Sequence, residues 1–289
     1  MEWINNIAKK EEYYQVWVKG LKKTLSIAVS VLIFLIFFFP FYWMIITSLK
    51  TLGEIMIFPP TLLPNTLHFE NYLRAFKAIS FFKYLINSCI VTFSIVILQM
   101  ITVIPAAYAF SQYRFKGKKI LFSTTLITMM IPSQLVFLPI FIMFSNLGLI
   151  NSYVSLIAPF ATSAFSIFML RQTFNQVPKS LIEAAKLDNA SEWKIILKIF
   201  LPMAKPTLIT IALLSFIVTW NDYFWPLVMT TNDMVRTLPV GVASLRNIET
   251  GINYDLLMAS NIMLTIPIIV VYLFAHKQII KAFTYMGDK

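Results

Sequence analysis

The feature that most constrains the fold is a run of residues without any charge, which extends from 120 to 170. A transmembrane α-helix needs about 20 consecutive apolar residues, so this run is too long for one crossing and long enough for two. Hydrophobic residues make up 58% of the chain and charged residues 13%, whereas ordinary soluble domains carry roughly 25% charged residues. Because a globular core cannot hide so much apolar surface, we predict an all-α integral membrane protein.

Charge-free apolar segments predict six transmembrane helices. The run 120–170 divides into two spans at a turn that Asn146, Gly148 and Asn151 mark. The other four predicted spans are residues 26–46, 84–110, 207–229 and 256–275.

Lysine and arginine are distributed unevenly between the two predicted sides of the membrane. Residues 1–25, 111–119, 171–206 and 276–289 together hold 18 Lys or Arg and 7 Asp or Glu, whereas the other side holds 6 of each. Since basic residues accumulate on the cytoplasmic side, we predict that both termini and the segment 171–206 are cytoplasmic. The basic residues are topological signals, and we expect no nucleic-acid partner.

This topology predicts a single transmembrane domain over residues 1–289, in contact with membrane lipid. Residues 1–25 form a cytoplasmic N-terminal segment, and residues 276–289 form a cytoplasmic tail. The six-helix membrane core, 26–275, includes the segment 171–206 between the fourth and fifth helices.

The segment 171–206 is charged and polar although apolar spans flank it. Ser180 and Glu183 have the spacing of a capping box, which predicts a helix of about two turns. Asn189 tolerates a left-handed conformation, which predicts a sharp turn before a second helix that restarts at Asn189-Ala190-Ser191-Glu192 and runs to Pro202. A polar hairpin in this place is typical of a docking surface. Periodicity alone favours the alternative that Glu183 only caps its own helix.

The hairpin also carries a motif. Glu183-Ala184-Ala185 is followed by Asp188, Asn189 and Ala190, and then by Ile199-Phe200-Leu201-Pro202. This pattern resembles the EAA loop of binding-protein-dependent ABC importer permeases. The family usually has glycine where this chain has Asn189, and asparagine keeps the preference for a left-handed turn.

Further motifs extend the resemblance over roughly residues 40 to 275. They are Ser48-Leu49-Lys50, Ala107-Tyr108-Ala109-Phe110, Trp220-Asn221-Asp222 and Thr237-Leu238-Pro239-Val240-Gly241. These motifs resemble loops and helices of the carbohydrate-type permeases, in particular those of the second membrane subunit of maltose-type sugar importers.

The resemblance implies a mechanical function in a bacterial cell membrane, as a multi-pass subunit that forms half of a sugar or oligosaccharide pore. Such a permease pairs with a second, similar permease, and each lays its hairpin as a coupling helix into a cleft of an ABC ATPase dimer. An extracytoplasmic solute-binding protein delivers the substrate. By this resemblance Glu183 is the main contact to the ATPase, and the coupling residues are Glu183, Ala184, Ala185, Asp188, Asn189, Ala190, Leu201 and Pro202.

The residues themselves favour a transport subunit without chemistry of its own. Gly117-Lys118 lacks the upstream glycine of a phosphate-binding loop, so ATP hydrolysis is expected on a separate chain. Five of the six predicted spans hold no acid, base or histidine, which disfavours an ion-coupled secondary carrier. A membrane-embedded enzyme is the other alternative, but the spans show no catalytic motif. His68 and His276 have no ligand spacing, and we expect no metal or cofactor.

Two further groups of residues are candidates for contact with the solute or with the binding protein. Asn87, Gln99, Gln134 and Asn221 are candidates for the substrate path, although interhelical hydrogen bonds explain them equally well. The tip of the long outward loop 230–255 is a candidate for binding-protein contact, with simple packing over the pore mouth as the alternative. Its residues are Leu245, Asn247, Glu249, Asn253 and Tyr254. The sequence leaves the solute open, and glycerol phosphate is the alternative to a sugar.

Overall fold

The computed structural model describes the backbone of residues 2–246 and 252–287, and the surroundings of the side chains of residues 17, 19–246 and 252–277. Two compact units are present, Met1–Tyr72 with Asn253–Ile262 and Leu73–Ile252 with Met263–Lys289. Within the described ranges all regular structure is helical, which confirms the all-α prediction.

The helices follow one another along the chain with short connections. They are α1 (Glu2–Ser48), α2 (Leu52–Ile55), α3 (Glu70–Ala78), α4 (Phe81–Gln112), α5 (Lys118–Thr128), α6 (Ser133–Asn146), α7 (Tyr153–Ile157), α8 (Ala164–Phe174), α9 (Lys179–Leu187), α10 (Glu192–Ile195), α11 (Leu201–Met203), α12 (Lys205–Trp220), α13 (Phe224–Met229), α14 (Leu238–Ala243) and α15 (Tyr254–Gly287). A 3₁₀ turn covers Ala158–Phe160, and a π-helical turn covers Ile196–Phe200.

In the described part of the chain, four helices are long and apolar enough to cross a membrane. They are Lys19–Ser48, Phe81–Gln112, Tyr153–Phe174 and Tyr254–Lys277. Two further pairs of helices pass the same test together but are bent, α5 with α6 by 96° and Glu192–Met203 with α12 by 80°. The number of candidate spans therefore lies between four and six, and it reaches the predicted six when each bent pair counts as one.

Prolines explain where the bent pairs break. Pro132 precedes α6 with an extended ψ of 129°, and Pro206 lies in the first turn of α12. Proline has no N–H to donate and disfavours a helical residue before it, so it starts helices more readily than it continues them. Four other prolines are accommodated inside helices, namely Pro40, Pro105, Pro139 and Pro267.

The predicted turn between the third and fourth spans is confirmed. Helix α6 ends at Asn146, and Gly148 and Asn151 both have left-handed backbones, with φ of 66° and 60°. The Asn151 side chain accepts the N–H of Thr231 at 2.6 Å and donates to the Thr231 hydroxyl at 2.7 Å. This turn is therefore tied to the loop that follows α13.

The second unit contains two apolar clusters that meet along α4. One cluster joins α4, α8 and the segment after Phe174, and it includes Val103, Tyr108, Leu170, Phe174, Ile195 and Phe200. The other joins α4 to the ends of α6, α7 and α13, and it includes Ile95, Phe144, Leu156, Trp225 and Met229. Since α4 contributes to both clusters, it is the central helix of this unit.

The first unit holds a loop with buried polar groups after α1. Lys50 is 2% exposed, donates to the Thr61 carbonyl and lies over the Trp43 ring at 5.5 Å. The Glu54 carboxylate accepts the N–H of Asn65 at 2.9 Å. Because a buried charge is costly without partners, these bonds fix the loop in one conformation.

Candidate functional site

The first arm of the predicted hairpin is α9, which begins at Lys179 directly after Pro178. Pro178 has a φ of −59° and a ψ of 130°, and no side chain caps the helix. The capping box expected from Ser180 and Glu183 is therefore wrong, since both residues lie inside α9. Proline starts the helix before Ser180 because its fixed φ suits the residue at a helix entrance. We call the structure formed by α9, α10, the π-helical turn and α11 (residues 179–203) the EAA hairpin.

The turn of the EAA hairpin is at Asn189, as predicted. Its φ is 52°, in the left-handed region. The N–H of Asn189 donates to the Lys186 carbonyl at 3.0 Å, and the N–H of Ala190 donates to the Ala185 carbonyl at 3.0 Å. These bonds satisfy carbonyls that the end of α9 would otherwise leave unpaired.

The second arm differs from the prediction at its start. Ser191, and not Asn189, is the N-cap of α10, and its hydroxyl accepts the N–H of Lys194 at 3.4 Å. Asn189 cannot serve as this cap because its left-handed backbone belongs to the turn. The arm continues through the π-helical turn Ile196–Phe200 and ends at Met203, one residue beyond the expected Pro202.

Aromatic packing anchors the second arm to the helices of the membrane core. Phe200 is fully buried, and its ring meets the rings of Phe174 and Tyr108 edge-on, with each pair of centroids 5.0 Å apart. Ile195 and Ile196 are buried in the same cluster. Edge-to-face aromatic pairs add about 0.5–1.5 kcal/mol each beyond their buried area, so this contact holds the hairpin firmly against α4 and α8.

A polar contact reinforces this anchor, and sequence reasoning missed it. The hydroxyl of Tyr108 donates to the Glu192 carboxylate, whose other oxygen lies 4.0 Å from the Lys186 ammonium. Burial and the nearby Glu192 carboxylate raise the pKa of the Tyr113 phenol above its ordinary value. Both effects disfavour a second negative charge beside Glu192, so Tyr113 stays neutral.

The outer face of the EAA hairpin is open. The Glu183 side chain is exposed and makes no hydrogen bond or ion pair with any residue that the structure describes. Asp188 is exposed too, and two large apolar side chains stand beside the turn, Leu187 with 84% and Trp193 with 63% of their surface exposed. An exposed Trp is the kind of side chain that anchors protein contacts, and here it lies on the same hairpin as unpaired carboxylates.

The other predicted coupling residues divide between the two faces. Ala185, Ala190 and Leu201 pack against the apolar cluster on α4 and α8. Ala184, Asn189 and Pro202 are exposed. No group of three His, Cys, Asp or Glu side chains that could hold a metal ion occurs among the described residues.

The candidates for the substrate path do not form one cluster. Asn87 is 3% exposed, and its amide bonds the carbonyls of Met234 and Arg236 and the hydroxyl of Tyr153. Gln99 is 8% exposed and donates to the Phe160 carbonyl at 2.9 Å. Both residues make the interhelical bonds that the alternative interpretation expected.

Gln134 and Asn221 have a different environment. Gln134 lies in the first turn of α6 and is exposed, and Asn221 caps the end of α12 with its amide on the Ile217 carbonyl at 2.9 Å. Their side-chain oxygens point to no buried partner in the described residues. Both side chains are exposed, whereas Asn87 and Gln99 are buried, and Oε1 of Gln99 has no hydrogen-bond partner among the described residues.

The loop 230–255, which we predict to face outward, contains a short helix. It contains α14, in which Leu238, Pro239, Val240, Gly241 and Val242 are buried. Leu245 lies in the turn after α14, and Asn253 and Tyr254 lie at the start of α15. Asn247 and Glu249, the other residues predicted to contact a binding protein, lie outside the described residues.

Comparison with known proteins identifies the family. Residues 100–285 match the model of the binding-protein-dependent transport system inner membrane component. The chain is 34% identical over 254 residues to the arabinooligosaccharides transport system permease protein AraQ of Halalkalibacterium halodurans, a match that covers 87% of this chain and 91% of AraQ. It is 34% identical over 269 residues to the trehalose/maltose transport system permease protein MalG of Thermococcus litoralis, with coverage of 91% and 96%.

A solved structure agrees with these relatives. A chain of a bacterial ABC transporter involved in the import of the acidic polysaccharide alginate has a TM-score of 0.77 and 27% sequence identity, and the match covers 88% of this chain and 96% of that chain. The family model covers well over half of the sequence, and both relatives span almost its whole length. The chain belongs to the family of binding-protein-dependent transport system inner membrane components.

Proposed function

We propose that this chain forms half of the translocation pore of an ABC importer for a sugar or an oligosaccharide, and that its EAA hairpin couples the pore to a separate ATPase. The observation that carries the proposal is the two-sided construction of the hairpin. Its inner face is packed onto α4 and α8, while its outer face presents Glu183, Leu187 and Trp193. A partner that binds the outer face and moves will displace the membrane helices with it.

The proposed topology has six spans, with both termini and the EAA hairpin in the cytoplasm, within one permease domain of residues 1–289. The excess of basic residues on one side of the predicted topology supports this orientation. In this topology the bent pair α5–α6 is the third span. The 80° bend before α12 allows Glu192–Met203 to lie along the membrane surface while α12 turns into the bilayer.

Within the hairpin we assign each coupling residue a role from its position. Glu183 makes the main polar contact to the ATPase, with Ala184, Asp188 and Pro202 on the same open face. Ala185, Ala190 and Leu201 support the hairpin from beneath, because they pack on the core. Asn189 sets the bend between the two arms.

On the solute side we assign Gln134 and Asn221 to the path, because their side chains are exposed. Asn87 and Gln99 stabilise the helices beside it. The loop tip 245–254 contacts the solute-binding protein and helps to release the sugar. This role is tested by replacing residues 247–253 with a short Gly-Ser linker, which should lower sugar-stimulated ATPase activity and uptake together while the complex still assembles. Unchanged uptake by the shortened chain would show that the loop tip does not act on the solute-binding protein.

The chain works with a second permease, an ABC ATPase dimer and an extracytoplasmic solute-binding protein. A sugar is proposed as the solute because relatives that match nearly the whole chain are named for arabinooligosaccharides and for trehalose and maltose. The alternative solute is a polar molecule such as glycerol phosphate.

The decisive experiment isolates the chain with its partners under mild conditions and reconstitutes the complex in liposomes. ATPase activity and uptake are then measured with the purified binding protein and a panel of di- and oligosaccharides, with sn-glycerol 3-phosphate as a separate arm. We expect stimulation by at least one saccharide and none by glycerol phosphate. Stimulation by glycerol phosphate alone would contradict the proposed sugar and would support glycerol phosphate as the solute.

A second arm reconstitutes the chain alone. Uptake of solute without an ATPase would indicate a secondary carrier, and turnover of a lipid-soluble substrate would indicate a membrane-embedded enzyme. We expect neither, since Asp222 is the one charged residue in the predicted spans and no span shows a catalytic motif.

A further inference from the structure

A basic groove lies where the loop after α4 meets the start of α5 and the end of α8. Two adjoining depressions, of about 520 Å³ and about 420 Å³, share Lys118 and Lys119. Arg114 lines the first depression, and Arg171 lines the second. All four cations belong to the second compact unit, so the groove is formed within one body.

The inner part of the groove is held in place by the fold. The Lys118 ammonium donates to the Tyr113 carbonyl at 2.8 Å, and the Arg171 Nε donates to the Phe110 carbonyl at 2.9 Å. The Arg171 guanidinium also lies 4.0 Å from the centroid of the Phe122 ring. Arg114 and Lys119 are exposed at the rim, where they are free to close on a ligand.

Within the described residues, no carboxylate pairs with these cations. The sequence contains no Asp or Glu between Glu70 and Glu183. Among the described residues none of the groove cations forms an ion pair, and Glu192 is engaged by Tyr108 and Lys186. The positive charges of Arg171 and Arg114 both repel that of Lys118. An anion that binds among these like charges offsets the repulsion between them.

The start of α5 adds to the attraction for an anion. Gly117 precedes the helix in a left-handed conformation, with φ of 83°, and no side chain caps the first turn. The N–H of Lys118 is bonded to the Phe115 carbonyl at 3.3 Å, and the partial positive charge at the start of the helix still favours a phosphate oxygen. A Cβ at Gly117 would meet no atom within 4 Å, so no neighbouring side chain covers this glycine.

One wall of the groove is apolar and continues along α5. Ile120 is 72% exposed and Leu121 is 55% exposed, and α5 belongs to one of the bent candidate spans. Inorganic phosphate has no apolar group that could pack against this wall. We propose that the groove is a binding site for an anionic phospholipid, whose phosphate lies among Arg114, Lys118, Lys119 and Arg171 while its acyl chains follow Ile120 and Leu121. The site is separate from the proposed coupling function and requires only that α5 enters the membrane.

The test measures lipid binding by the purified full-length chain in detergent, using native mass spectrometry. The probes are dioctanoyl-phosphatidylglycerol, dioctanoyl-phosphatidylcholine and inorganic phosphate. The double variant Arg114→Gln/Lys119→Gln removes the two rim charges without touching the internal bonds. We expect it to lower the affinity for phosphatidylglycerol about tenfold or more, because each basic residue near an anionic lipid contributes to binding.

The matched control is Lys77→Gln/Lys83→Gln, which removes the same charge from exposed positions outside the groove and on the opposite predicted side of the membrane. It should change the affinity by less than about twofold, and the charge-conserving variant Arg114→Lys/Lys119→Arg should retain most of it. An equal loss in the Lys77 and Lys83 control, or an unchanged affinity in the groove variant, overturns the proposal. Displacement of phosphatidylglycerol by inorganic phosphate at comparable concentration would show a phosphate site instead.

The unmodified chain provides an independent check if the groove variant does not fold. Its affinity for phosphatidylglycerol should exceed that for phosphatidylcholine about tenfold and should fall as salt is raised, since the attraction is electrostatic. Equal affinity for the two lipids overturns the proposal without any mutation.

Discussion

The hydroxyl of Tyr108, on α4, donates a hydrogen bond to the carboxylate of Glu192, in the second arm of the EAA hairpin. The Tyr108 side chain is 3% exposed, and its ring also meets the Phe200 ring. One residue of the central helix therefore holds the hairpin by an apolar contact and by a charged hydrogen bond. In the coupling function that we propose, this contact is where movement of the hairpin reaches α4.

Removing only the hydrogen bond tests this connection. Tyr108→Phe keeps the aromatic packing and should lower the free energy of unfolding by about 1 kcal/mol, because Glu192 is partly exposed and finds water instead. Thermal unfolding in detergent measures this loss, and uptake should fall more than ATPase activity because coupling weakens. Tyr223→Phe, at an exposed phenol that does not contact Glu192, is the control. Equal effects of the two variants would contradict the special role of Tyr108.

Glu183 provides the direct test of coupling. Glu183→Ala should abolish ATP-driven uptake while membrane insertion and thermal stability stay unchanged, since the carboxylate has no partner within the described chain. An interfacial charged hydrogen bond that loses one end costs about 2–5 kcal/mol, which should appear as weaker association with the ATPase. Ser180→Ala, at another exposed position of α9, should be neutral. Normal association of the Glu183 variant with the ATPase would contradict the coupling role and would mean that Glu183 acts only within its own helix.

The left-handed backbone of Asn189 leads to a prediction about the bend. Asn189→Gly should be tolerated, because glycine adopts a φ of 52° without steric cost. Asn189→Val should destabilise the turn by about 1–2 kcal/mol and reduce uptake, because a β-branched side chain clashes in this region. The two variants are compared by thermal unfolding and by uptake. Equal activity would mean that the bend does not need a left-handed residue.

Gly241 in α14 is fixed by its neighbour. A Cβ at this position would overlap Cδ2 of Tyr84, whose buried ring has little freedom to withdraw. Gly241→Ala should therefore cost about 1–3 kcal/mol through overpacking, measured as a lower unfolding midpoint. Adding Tyr84→Leu should recover part of the loss.

A glycine with open surroundings is the control for this substitution. Gly20 lies inside α1, and a Cβ at this position would meet no atom within 4 Å. Gly20→Ala should be neutral or stabilise the helix by up to about 1 kcal/mol, because alanine is the better helix former. If Gly20→Ala and Gly241→Ala destabilise the protein equally, close contact with Tyr84 is not the cause.

The sequence predicted the features that depend on one stretch of chain. The charge-free run 120–170 required at least two apolar helices with a break, and Gly148 and Asn151 supply that break with left-handed backbones. Asn189 was identified as a bend for the same reason, since few residue types tolerate a positive φ. The EAA motif identified the family before any contact was known.

Features that depend on distant residues could not be predicted in this way. Ser180 and Glu183 have the spacing of a capping box, but Pro178 starts the helix earlier, and local spacing did not show which signal prevails. The bond between Tyr108 and Glu192 joins positions 84 residues apart. Asn87 is bonded to Tyr153 and to the backbone of the loop before α14, so its polar character reflects packing between elements.

The π-helical turn Ile196–Phe200 gives the second arm of the hairpin one residue more than an α-helix of the same height needs. Each residue of an α-helix turns the chain by about 100°, so this extra residue sets which way the tip faces once Phe200 is fixed between Phe174 and Tyr108. The number of residues in the second arm therefore determines the direction in which the tip of the hairpin faces. Deletion or insertion of a single residue between Ser191 and Phe200 would keep all the side chains of the tip but rotate them away from their present orientation.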